Sequence, residues 1–226
     1  MSYLYHQGAP AAIHSLIPDV RLIAILRHPV DRAFSDYVQT RRLGREPLAT
    51  FEAAIAAEDE RVRAGWGNIW HYGRKGRYAE QLERYLAIFP REQRLVVLYD
   101  DLVRDPRGVM RSLYHFLGVR VDVEPEVAVA RNVSGVPRGR IAQTLLPITL
   151  MLGRYSTPYV PTGLKQWVRQ RLMGAKPVLA PTTRQHLLEG YLDDIHALEQ
   201  LLGWDLTHWL EPVVSHTTAG YPEARR

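Results

Sequence analysis

The sequence predicts an α/β fold in which a parallel sheet is flanked by helices. Two short apolar runs carry most of that expectation, Leu22–Leu26 and Leu95–Tyr99. Each is too short for a buried helix and too continuous for a strand with one wet face, so both suit parallel strands covered on both sides. Each run also ends in charge and then a helix start: Arg27 and Pro29 after the first, Asp100-Asp101 and Asp105-Pro106 after the second. Proline is pre-organised for a helix's first turn, and aspartate is a good N-cap. Helical spacing fills the interval between the two runs.

The elements follow in order. Residues 1–8 read as extended or loop, with Tyr3 and Tyr5 on one side. Ala9 to Leu16 is a short helix with Pro10 in its first turn, ended by a turn at Pro18-Asp19. After the first strand, Val30 to Gln39 is helical, and Val30, Ala33, Phe34 and Tyr37 form its apolar side. Gly44 and Pro47 break it. Phe51 to Val62 is a charged, Ala-rich helix with Thr50 as N-cap and Gly65 beyond its end. Residues 65–78, G-W-G-N-I-W-H-Y-G-R-K-G-R-Y, gather glycines, two tryptophans and a basic cluster into a functional loop. An ordinary surface loop anchored by its tryptophans is the alternative. Tyr78 to Phe89 is amphipathic and stops at Pro90, and the helix after Pro106 stops at Gly118.

Beyond that, Val119 to Ala130 reads as an acidic linker and Arg131 to Arg140 as a turn-rich basic loop. Gly163 to Met173 is a short basic amphipathic helix; packing with a solvated basic face is the main reading, peripheral membrane contact the lesser one. Thr182 with Gln185 forms a capping box for the last helix, whose apolar stripe runs to Gly203. One domain is expected over residues 1–212, with a flexible tail at 213–226.

Composition narrows the function. The net charge of +5 and pI near 9.5 suit anionic partners. The charge is spread along the chain, which argues against a sequence-specific nucleic-acid reader. The absence of cysteine excludes disulfides, thiolate catalysis and cysteine-ligated metal, and fits a reducing, cytoplasmic compartment. No signal peptide is visible, and the run from Ile141 to Leu152 is too short to span a bilayer. Arg27, at the carboxyl end of a buried strand, and Ser35, on the helix that follows, then stand where open α/β sheets bind ligands. A cation and a hydroxyl near a helix N-terminus suit a phosphate; on spacing alone, an arginine that caps a strand and an ordinary small helix residue are the alternative.

The run R-L-I-A-I-L-R-H-P-V-D-R-A-F-S-D-Y resembles the 3′-phosphate-binding segment of the sulfotransferase family. The stretch K-G-R-Y-A-E-Q-L-E-R-Y-L-A-I-F-P-R-E-Q-R-L-V-V-L-Y-D-D-L, continuing through R-D-P to F-L-G-V, is similar to a second family block. The ending L-L-G-W-D-L-T-H-W-L resembles the family's carboxyl-terminal helix and Trp-Leu closure. The resemblance implies a P-loop-NTPase-like three-layer fold, and 3′-phosphoadenosine 5′-phosphosulfate (PAPS) as co-substrate with no metal. It also implies sulfuryl transfer to an acceptor hydroxyl or amine of a carbohydrate or other small molecule. Arg27 and Ser35 fall on the positions that hold the 3′-phosphate. Arg138 and Arg140 match, in place and character, a basic loop that closes over the nucleotide.

The family's Gly-rich loop with Lys and Thr or Ser, which cradles the 5′-phosphosulfate, has no counterpart here. The domain therefore reads as incomplete at its N-terminus. No general base is assigned, His71 and His6 being weak candidates. A shortened, non-catalytic homologue that binds a 3′-phosphoadenosine nucleotide or an anionic glycan is the alternative. A nucleotide kinase ranks last, for want of a Walker loop.

Overall fold

A computed structural model describes residues 3–120 and 177–211 of the chain. Arg138, Arg140, the acidic linker, the 163–173 helix and the 213–226 tail lie outside the described residues. Within them the element order is α1 (Ala9–Leu16), β1 (Leu22–Leu26), α2 (Pro29–Arg42), α3 (Phe51–Ala56), α4 (Glu58–Arg63), α5 (Tyr78–Leu86), β2 (Arg94–Leu98), α6 (Tyr99–Arg104) and α7 (Pro106–Leu117). After residue 176 come α8 (Pro181–Glu189), α9 (Leu192–Leu202) and a 3-10 turn at Thr207–Trp209.

β1 and β2 lie side by side and run parallel, in register from Leu22 opposite Arg94 to Leu26 opposite Leu98. Successive strand residues point to opposite faces, and the two faces of β1 have different fates. Leu26 and Leu98 sit in a core with Tyr78 and Leu82 of α5 and Ile195 and Leu198 of α9. On the opposite face Ile23 and Ile25 remain 39% and 49% exposed. The expectation that this strand is covered on both sides therefore fails among the described residues: α5 and α9 cover one face and leave the alternate side chains outside.

Local boundaries shifted for physical reasons. β2 ends at Leu98, and Tyr99 opens α6 instead of closing the strand. Asp100 and Asp101 stand in the first turn of α6, where acidic side chains complement the helix dipole. The expected helix from Phe51 to Val62 steps at Ala57 into α3 and α4, which turns Glu58 inward. Thr50 does cap α3, accepting from the Ala53 amide at 3.3 Å. The last helix divides near Gly190 into α8 and α9. No capping box forms, because Ala180 is the N-cap of α8 and Pro181, with no amide to satisfy, starts the helix. Asp105 caps α7 through the Gly108 amide at 2.8 Å, and Gly118 ends it in the left-handed region at φ +68.

The carboxyl-terminal closure is a plug at the carboxyl ends of both strands. Trp209 is buried, its indole N–H donates to Asp100 beyond β2 at 3.2 Å, and its carbonyl accepts from His28 beyond β1 at 2.9 Å. No described helix is long and apolar enough to cross a membrane.

Candidate functional site

Arg27 directly follows the last residue of β1 and is half-buried. Its guanidinium lies over the ring of Tyr99, 4.9 Å from the centroid, at the end of the neighbouring strand. It has no ion-pair partner among the described residues. Its backbone carbonyl accepts from the Tyr78 hydroxyl at 2.9 Å, and burial pushes that hydroxyl's pKa up to about 12, so it stays a donor. Ser35 stands on α2 with its hydroxyl exposed and without a hydrogen-bond partner among the described residues. Helical spacing places Arg32, Ser35, Asp36 and Gln39 along one side of α2.

Two concavities flank this region and differ in charge. A cavity of about 500 Å³ runs along β1 to Arg27; four cations line it (Arg27, Arg32, Lys75, Arg94) against a single carboxylate, Asp36. A larger cleft of about 1190 Å³ has no positive excess, with Arg74, Arg77 and Arg84 against Glu58, Asp59, Glu80 and Glu189. The two meet at Asn68 and Gln81. Unbalanced positive charge between apolar walls focuses potential, so the smaller cavity is the one suited to an oxyanion. Arg27 lines it; Ser35 stands just outside, on the flank of α2 beside Asp36.

The loop at 65–78 is tied down at many points. Glu58 accepts from the amides of Gly73 at 2.6 Å and Arg74 at 2.9 Å. The Tyr191 hydroxyl donates to the Gly73 carbonyl at 2.8 Å, and a Cβ on Gly76 would meet the Tyr191 ring at 2.8 Å, so only glycine fits there. Tyr72 donates to the buried carboxylate of Glu46 at 2.6 Å, which also receives both terminal nitrogens of Arg61. At the cavity, the Lys75 ammonium and the Arg32 guanidinium both reach the same oxygen of Asp36, at 2.5 and 2.8 Å. Arg32 also donates to the Tyr72 carbonyl.

His71 proves to be part of this anchoring. The Trp66 carbonyl, 3.1 Å from Nε2, can only accept, which puts the proton on Nε2 and leaves Nδ1 to accept from the Tyr5 hydroxyl at 2.9 Å. Both ring nitrogens are occupied, so the side chain is poorly placed to take a proton from an acceptor. His6 lines the larger cleft.

Burial lowers the pKa of both His71 and His28. Around His28, Asp31 and Asp100 oppose the shift while Arg184 adds to it. A histidine whose folded pKa lies below the ordinary value near 6.5 is protonated first in the unfolded chain. Stability is therefore lost progressively as pH falls below about 6.5. The urea midpoint is expected to be lower at pH 5.5 than at 7.5; equal midpoints contradict this reading.

Residues 4–123 match the model of the sulfotransferase family. The chain belongs to that family. Heparan sulfate glucosamine 3-O-sulfotransferase 6 of Mus musculus is 39% identical over 146 residues, which cover 63% of this chain and 40% of the relative. The bifunctional heparan sulfate N-deacetylase/N-sulfotransferase of Drosophila melanogaster is 30% identical over 122 residues, 53% of this chain and 12% of the relative. A sulfotransferase from Alicyclobacillus acidocaldarius, known from its crystal structure, superposes with a TM-score of 0.68 at 29% identity. The match covers 93% of this chain and 65% of that one.

Within this sulfotransferase-family chain, sequence reasoning named Arg27 and Ser35 as candidates and did not name Arg32, Asp36, Lys75 or Glu46. The i, i+4 spacing of Arg32 and Asp36 was visible as a helix pair, and Lys75 stood in the basic cluster. Nothing local marked Glu46.

Proposed function

We propose that the chain takes part in PAPS-dependent sulfuryl transfer, with the 3′-phosphate of the co-substrate held by Arg27 and Ser35. The observation that carries this is the Arg27 guanidinium at the carboxyl end of β1, without an ion-pair partner among the described residues and lining a cavity of net positive charge. Arg138 and Arg140 belong to the proposal as cations that close over the nucleotide. In the reaction, an acceptor oxygen or nitrogen attacks sulfur as the bond to the 5′-phosphate oxygen breaks. The acceptor proton leaves to a base, and 3′-phosphoadenosine 5′-phosphate departs. Arg27 and Ser35 act on the part of the donor that does not react, so their binding energy orients the sulfuryl group.

The heparan sulfate relatives make a carbohydrate the acceptor we favour. A three-layer, P-loop-NTPase-like sandwich, a single domain over residues 1–212 and a cytoplasmic setting, argued from the cysteine-free sequence, belong to the same reading. The family resemblance implies that the transfer needs no metal.

The test is calorimetric titration of the full chain with 3′-phosphoadenosine 5′-phosphate and with adenosine 5′-phosphate. Roughly tenfold or greater preference for the doubly phosphorylated nucleotide is expected, from a charge-assisted contact of about 1.5–3 kcal/mol. Equal affinity sinks the assignment. Labelled sulfate transfer from PAPS to an oligosaccharide separates an enzyme from a non-catalytic binding homologue, which the occupied nitrogens of His71 keep in view.

A further inference from the structure

The loop at 65–78 delivers one charged side chain to the cation-lined cavity that its own anchoring does not require. Lys75 lies between two 3-10 positions of the loop and is only 11% exposed at its side chain, yet Glu58, Tyr72 and Tyr191 already hold the neighbouring backbone. Its ammonium shares one oxygen of Asp36 with Arg32. One carboxylate cannot neutralise two cations, and Arg27 adds a third along the same wall. The excess lies beside apolar residues of β1, where an anion gains more than it does in open water. Burial also lowers the Lys75 pKa while Asp36 works against the shift, as expected of an ammonium short of compensation.

We propose that Lys75, presented by Asp36 across from Arg32, is a substrate-contacting cation. It would bind a tetrahedral oxyanion, a phosphate or sulfate group, that enters the cavity lined by Arg27. This deepens the sulfotransferase reading and rests on it: the group is either a phosphate of the nucleotide or a sulfate on the acceptor. Lys75 then makes the loop at 65–78 part of substrate recognition, in a place that Arg27 and Ser35 do not cover.

The experiment compares the wild-type chain with Lys75→Gln and Lys75→Arg. Each is titrated with 3′-phosphoadenosine 5′-phosphate and with a sulfated heparan oligosaccharide at two salt concentrations, alongside thermal melts. Lys75→Gln is expected to weaken one of these ligands about tenfold and flatten its salt dependence, whereas Lys75→Arg stays within about threefold. Weakening of the nucleotide assigns the oxyanion to the donor; weakening of the oligosaccharide assigns it to the acceptor. A lower melting temperature with both affinities unchanged makes Lys75 a structural tie to Asp36 and overturns the proposal. In that case nucleotide preference in the wild type still supports Arg27. A wild-type chain that binds neither ligand overturns both readings together.

Discussion

Replacing Glu46 with glutamine is expected to cost about 3–5 kcal/mol of folding stability, the range for removing one partner of a buried ion pair. Glu46 is 1% exposed and Arg61 5%. Arg61 makes a two-pronged contact to the carboxylate at 2.7 and 2.8 Å, Tyr72 donates to it at 2.6 Å, and the Leu48 amide donates at 2.8 Å. Burial alone would push the carboxyl's pKa up, but these donors overcome it and hold it below the ordinary value. The loss in Glu46→Gln comes chiefly from the guanidinium of Arg61, left charged and buried without a counter-ion. Chemical denaturation measures it. The double variant Glu46→Leu with Arg61→Met, which leaves no orphaned charge, should recover much of the stability. A single variant within about 0.5 kcal/mol of wild type would mean that the pair is well solvated after all. The effect reaches the site, since Tyr72 ties the loop that carries Lys75 to Thr40 of α2 at 2.6 Å.

Arg27→Gln is expected to abolish most of the nucleotide preference with little change in stability. A guanidinium on a phosphate contributes about 2–3 kcal/mol, so affinity for 3′-phosphoadenosine 5′-phosphate should fall roughly 30- to 150-fold. Affinity for adenosine 5′-phosphate should barely move, and the ratio between the two ligands is the quantity to read. The fold should tolerate the change because the side chain makes no ion pair among the described residues and lies only over the half-exposed ring of Tyr99. Arg27→Lys should recover part of the preference, since an ammonium keeps the charge and loses the two-pronged geometry. A ratio unchanged in Arg27→Gln would remove the 3′-phosphate from this position.

The parts of the site that were legible are those encoded over a few consecutive residues. Local periodicity placed Arg27 at a strand's end and Ser35 on the helix after it, because a five-residue apolar strand, a proline and a helix period lie in unbroken sequence; the resemblance to the family's phosphate-binding segment singled the two residues out. The Asp105 cap and the Gly118 stop were legible for the same reason. Exposure of Ile23 and Ile25 was not, because whether a continuous apolar strand is covered twice depends on which helices reach its two faces. The capping box at Thr182 failed because Pro181, one residue earlier, competed for the same helix start. His71 looked like a free loop histidine until Tyr5, 66 residues away, closed on its second nitrogen.

By itself, then, the sequence determined the two parallel strands, the helix that follows each, and the place of Arg27 at a strand's end. These depend on side-chain size, period and backbone preference, which act between neighbours. The tertiary structure alone decided which charges share a cavity. Lys75 meets Asp36 across 39 residues and Tyr72 meets Glu46 across 26. Charges so far apart in sequence interact only after the chain has folded, and their pairing follows from packing and desolvation, which no local pattern records.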